Sequence, residues 1–133
     1  MHPSGTWSAN TTKPNQVVPY SQRLHSSESA TPTSVFAPGT LLVSAGHLAD
    51  DALAVLQGTS QAAPIVAGAA LLLQQLWKAQ KGVLPSPAQV RAWLGSGPVT
   101  LDNGDDSVPN TLLVYPTVDI QAALHAASIE AAP

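Results

Sequence analysis

Residues 62–73, Ala-Ala-Pro-Ile-Val-Ala-Gly-Ala-Ala-Leu-Leu-Leu, form an uninterrupted apolar run of 12 residues, which constrains this chain more than any other feature. The run is shorter than the roughly 18 residues that suggest a membrane span, so it belongs inside a protein. From Ser60 to about Gln80 the pattern is helical, and its first half is apolar nearly all round. A helix of that kind is buried on every side rather than along one stripe. The chain must therefore reach, or be given, apolar walls on several sides of this segment. Composition sharpens the point: 44% of the 133 residues are hydrophobic and 10% charged, against about 25% charged in an ordinary soluble domain. That balance matches an interior better than a complete globule, whose large surface needs polar cover.

The rest of the chain is organised around this segment. Residues 1–34 are rich in Ser, Thr, Pro and Asn and read as loop, with at most a short strand near residues 17–20. Val35-Phe36-Ala37-Pro38-Gly39 introduces a turn, followed by a buried strand over 40–45, a hairpin or loop over 46–51 and a second strand over 52–57. After the long helix, Gln74, Gln75, Lys78 and Lys81 return the chain to solvent, and Gly82 terminates it. Ser86 caps a second helix with Pro87 in its first turn, ending near Leu94. Residues 95–110 read as a loop, and Asp119 opens a last helix reaching about Ala127.

Gly58-Thr59-Ser60 places a serine at a loop-to-helix junction. Free N–H groups and the positive end of a helix dipole there stabilise a developing oxyanion. Gly58 and Thr59 keep the approach narrow, and Pro64 fits only near a helix start. Taken alone, Thr59-Ser60 reads as an ordinary N-cap. The longer stretch through Ala70 resembles the catalytic-serine segment of the subtilisin-like serine proteases, G-T-S-x-A-x-P followed by a V-A-G-A helix. Pro19-Tyr20-Ser21-Gln22-Arg23 is similar to that family's F-S-x-R segment, and Val35-Phe36-Ala37-Pro38-Gly39 to its V-x-A-P-G turn. Leu84-Pro85-Ser86-Pro87-Ala88-Gln89-Val90-Arg91 and Val118-Asp119-Ile120-Gln121-Ala122-Ala123-Leu124 resemble its two later helices, in family order.

The resemblance implies an α/β chain: part of a three-layer fold with a mostly parallel sheet, here mainly the nucleophile helix, peripheral helices and a few strands. It divides the chain into a poorly structured segment at 1–15, the C-terminal portion of a subtilisin-like domain at 16–127, and a tail at 128–133. Ser60 takes the role of nucleophile, and its own backbone N–H that of one oxyanion donor, with Gly58, Thr59 and Pro64 as motif support. In the family the acid and base precede the serine. The 59 residues before Ser60 contain neither D-(T/S)-G nor H-G-T-H-V-A-G, nor the oxyanion Asn. Four histidines remain: His2 and His25 in loop sequence, His47 in the expected hairpin beside Asp50 and Asp51, and His125 in the last helix. A local Ser60–His47–Asp50 set is conceivable, but a histidine in an exposed hairpin explains His47 without it.

Calcium sites are common in the family, which makes Asp102, Asp105 and Asp106 its weak candidate ligands here. They lack the later Glu of an EF-hand, and a solvated turn accounts for them, so no metal or other cofactor is expected. Trp77 and Trp93 sit on helices as packing residues. With 5 Lys/Arg against 8 Asp/Glu, no nucleic-acid surface is expected, nor any membrane partner. Zero cysteines exclude thiolate chemistry.

Two functions follow. The first is a C-terminal fragment of a subtilisin-like serine endopeptidase, acting on peptide or protein substrates, inactive alone and completed by the missing N-terminal half. The second is a non-catalytic interaction module that keeps half of the fold. An unrelated helical domain with a fortuitous G-T-S is set aside by the ordered matches on both sides of Ser60. No signal peptide is visible in residues 1–10, and an extracellular location is the family's expectation. The isolated chain is expected to aggregate or seek a partner.

Overall fold

A computed structural model describes residues 15–23, 35–102 and 111–132. In chain order these form β1 (Leu42–Ala45), β2 (Leu53–Leu56), α1 (Thr59–Lys81), α2 (Pro87–Leu94), β3 (Val99–Leu101), β4 (Val114–Pro116) and α3 (Ile120–Ala131).

The helix ends follow local chemistry. Gly82 adopts a left-handed conformation (φ 76°), and its N–H returns to the Lys78 carbonyl at 2.9 Å, closing α1 with Lys78 and Lys81 at its negative end. Ser86 and Gln89 form a reciprocal capping box: the Gln89 N–H donates to Ser86 Oγ at 3.2 Å, and the Ser86 N–H to Gln89 Oε1 at 2.9 Å. Asp119 accepts from the Ala122 N–H at 2.9 Å and opens α3. That helix runs one turn past the expected end near Ala127. Residues 128–131, set apart as a tail from the sequence, belong to it, because Ala127 and Ala131 are both buried on its inner face.

The core lies between the three helices. Ala69 and Leu73 of α1 meet Val90, Trp93 and Leu94 of α2 and Ala123 and Ala127 of α3. A fully buried side chain of the size of Leu73 contributes about 1.5–3 kcal/mol through transfer from water. The two tryptophans pack tilted at 41° with 5.1 Å between centroids, Trp93 in the core and Trp77 against it, as expected of packing residues. The Trp93 indole N–H donates to Glu130 at 2.8 Å, as does the Gln89 amide, tying α2 to α3. These two bonds hold the Glu130 carboxyl below its ordinary range.

Burial on every side does not hold for α1. Ala63, Pro64, Ala67 and Gly68 are exposed, Leu71 is 65% exposed and Leu72 44%. The physical reason is simple: α2 and α3 cover one face of the helix, and among the described residues no element covers the other. Among those residues no helix is long and apolar enough to cross a membrane.

The expected hairpin is present, with β1 antiparallel to β2 from Leu42↔Leu56 to Ala45↔Leu53. But β1 is not buried as expected: Val43, Ser44 and Ala45 are exposed, because among the described residues no layer covers the hairpin. The strand expected near residues 17–20 is instead a turn at Pro19-Tyr20, closed by the Ser21 N–H on the Val18 carbonyl at 3.0 Å. The 95–110 loop contains β3, which pairs antiparallel with β4. Parallel pairing among the described residues occurs at one bridge, Phe36↔Thr117. Phe36 packs edge-on against the buried Tyr115 ring at 4.7 Å.

Candidate active site

The site is built where β2 runs into α1. Gly58 stands between them at φ 147°, ψ 167°, a region that only glycine occupies without strain. A Cβ there would also meet Gln61 Oε1 at 2.8 Å. The Gly58 N–H donates to the Gly39 carbonyl at 2.7 Å, and the Gly58 carbonyl accepts from the Gln61 and Ala62 N–H groups at 3.0 and 3.3 Å. Gly39 lies so close that a Cβ on it would meet the Gly58 oxygen at 2.9 Å. The V-x-A-P-G turn and the G-T-S junction are thus two backbones in contact, which explains a glycine in each.

Ser60 is the second residue of α1 and is exposed. Among the described residues neither its hydroxyl nor its N–H takes part in a hydrogen bond, and no side chain caps the helix. Pro64 lies inside the helix and has no N–H, so it denies the Ser60 carbonyl its i+4 donor. An exposed hydroxyl, an unengaged N–H at the same residue and the positive end of a 23-residue helix therefore coincide. A cavity of about 860 Å³ opens beside the junction, with Tyr20, Phe36, Gly39, Thr59, Ala62 and Val66 among its walls.

The other residues singled out from the sequence lie elsewhere. His47 sits beyond the far end of the hairpin. At about 3.3 Å per residue, roughly 17 Å of extended chain separates the Leu53 end of β2 from Gly58. A Ser60–His47–Asp50 set is therefore not assembled. His125 is exposed on α3. His2, His25, Asp105 and Asp106 lie outside the described residues.

Asp102 is not part of a solvated turn, and its carboxylate is taken up by protein donors. It is 1% exposed and forms an ion pair with Arg23, whose Nε lies 3.0 Å from Oδ1 and 3.1 Å from Oδ2. The Thr111 N–H and hydroxyl donate to Oδ2 at 2.9 and 2.8 Å. Burial pushes the Asp102 carboxyl up, but the Thr111 N–H, the Arg23 guanidinium and the Thr111 hydroxyl together hold it below its ordinary value. The rest of the guanidinium donates to the carbonyls of Val17, Pro19 and Ser21 at 3.3, 3.3 and 3.4 Å. The Tyr20 hydroxyl donates to the Gly39 carbonyl at 3.0 Å and also meets Thr40 Oγ1 at 3.0 Å. Sequence reasoning assigned Tyr20, Arg23 and Gly39 no role beyond motif matches. The signal available was their place in two segments that match the same family.

Ser60, whose hydroxyl and N–H are unengaged among the described residues, thus stands at a glycine-gated strand-to-helix junction. The model of the subtilase family, peptidase S8, matches residues 7–108. The chain belongs to the subtilase family of serine proteases. Among solved structures it is similar to the prenylagaramide maturation protease PagA, with 30% sequence identity and a TM-score of 0.51. That match covers 69% of this chain and 32% of the PagA chain, so the chain spans about a third of that protein's length. No curated protein matches the chain.

Proposed function

We propose that this chain supplies the nucleophile portion of a subtilisin-like serine endopeptidase and works only with the family's acid and base regions. The observation that carries this reading is that, among the described residues, the hydroxyl and N–H of Ser60 behind Gly58 are unengaged. The Ser60 Oγ attacks the scissile carbonyl carbon as its proton passes to a general base. The carbonyl oxygen takes the negative charge and meets the Ser60 N–H, already aimed outward by the helix start. Collapse breaks the C–N bond, the base returns the proton to the leaving amine, and water then repeats the sequence on the acyl-enzyme.

The D-(T/S)-G and H-G-T-H-V-A-G motifs do not occur in the 133 residues. They are to be supplied by a further segment or a second polypeptide. The bare face of α1, which carries Leu71 and adjoins Ser60, suits contact with such a region. An interaction module without catalysis would use the same face but has no use for an open Ser60. The two readings separate when the chain is joined to, or mixed with, a polypeptide carrying those motifs. Hydrolysis of a fluorogenic peptide by the combination, and by neither part alone, is expected. A stable complex that never hydrolyses peptide would favour the module.

A further inference from the structure

The Gly39 carbonyl is a shared acceptor, taking the Gly58 N–H at 2.7 Å and the Tyr20 hydroxyl at 3.0 Å. The Gly58 carbonyl is also held, because it accepts the Gln61 and Ala62 N–H groups of α1. Gly58 therefore has both backbone polar groups engaged, and the unengaged N–H of Ser60 follows two residues later. Whatever orients the Gly39 carbonyl orients the strand end from which Ser60 is presented.

Tyr20 is itself aimed from a distance. It lies in the turn closed by Ser21 on Val18, and Arg23 bonds three carbonyls around that turn while its Nε is paired with Asp102. The chain of contacts is continuous, from Asp102 through Arg23, the Tyr20 turn, the Gly39 carbonyl and the Gly58 N–H to the Ser60 junction.

We infer that Tyr20 is a positioning residue. Its phenol fixes the Gly39 carbonyl, and through it the Gly58–Ser60 turn, in the geometry that aims the Ser60 N–H at a developing oxyanion. The inference rests on the reading of Ser60 as nucleophile, but the coupling from Tyr20 to Gly58 stands or falls independently. Without the phenol, Gly39 keeps a single donor and its carbonyl is free to tilt. The Gly58 N–H bond then loosens, and a small displacement of an oxyanion donor is costly to the chemical step.

The test is Tyr20→Phe, which removes one oxygen and keeps the ring, read in the complemented protein. The Gly58 amide resonance is expected to shift and its hydrogen exchange to quicken roughly two- to tenfold, the size expected for one lost neutral hydrogen bond. The kcat is expected to fall about tenfold with KM unchanged. The melting temperature should move little, because Tyr20 is partly exposed. Thr40→Val, which leaves the phenol only Gly39 as acceptor, should keep both the Gly58 signal and kcat. An unaltered Gly58 amide in Tyr20→Phe overturns the inference, and so does a loss that appears in KM or follows the melting temperature. A Thr40→Val defect equal to that of Tyr20→Phe would also overturn it, because the phenol would then act through Thr40. If no form of the protein acylates Ser60, the nucleophile reading fails, while the Gly58 amide still decides the coupling.

Discussion

Ser60→Ala in the complemented enzyme is expected to lower kcat by about 10⁶-fold, the order of loss seen when the nucleophile of a serine triad is removed. KM should stay close to the parent value, because substrate contacts along the cleft do not depend on one hydroxyl. Stability should also be preserved. The Ser60 side chain is exposed and, among the described residues, takes part in no hydrogen bond, so its removal orphans no buried partner. Steady-state kinetics together with thermal unfolding of the same preparation check both halves of this expectation. A variant that loses activity and stability together would assign Ser60 to the fold rather than to the chemistry.

The second large effect concerns stability. Asp102→Asn is expected to destabilise the protein by about 3–5 kcal/mol, because it removes one charge of a buried ion pair. The side chains of Arg23 and Asp102 are only 8% and 1% exposed, so water cannot take over the lost pairing. Replacing both partners, as in Arg23→Met with Asp102→Leu, should recover much of the loss, since no orphaned charge then remains. The same pair sets an acid limit. The folded carboxyl lies below its ordinary value of 3.8, so its contribution is fully present above that pH. It is lost as the pH falls through the folded value, when the protonated acid no longer pairs with Arg23. Unfolding measured from pH 7 downward should show a decline below about pH 3.8 that is blunted in Asp102→Asn. Equal acid sensitivity in both proteins would show that other carboxyls dominate.

What could be read from the sequence was local. Ser86 with Gln89, Gly82 and Asp119 each act within one helical turn, so the helix ends are close to those expected. Gly58-Thr59-Ser60 was legible for the same reason, since the junction is built from neighbours in the chain. The ion pair was not, because Arg23 and Asp102 are 79 residues apart and neither segment shows a period. The Tyr20–Gly39 bond was hidden likewise: nothing at residue 20 announces a backbone oxygen at 39 as its acceptor. β3 and β4 have three residues each, too few for alternation to stand out from a loop.

The apolar run over residues 62–73 is covered on one face only among the described residues. Leu73 and Ala69 are buried against α2 and α3, while Leu71 and Ala67 on the same helix meet no cover among the described residues. A half-covered apolar helix with a serine at its start that is unengaged among the described residues fits the proposed role of Ser60 as a nucleophile with its general base supplied from elsewhere.

The most direct measurement is fluorophosphonate labelling with mass-spectrometric mapping of the adduct, on the chain alone and on the chain completed with the family's Asp and His regions. The expected result is no rapid adduct on the chain alone and a stoichiometric adduct at Ser60 once it is completed. Rapid labelling of Ser60 without a partner, or a completed and active enzyme labelled at any other residue, would contradict it.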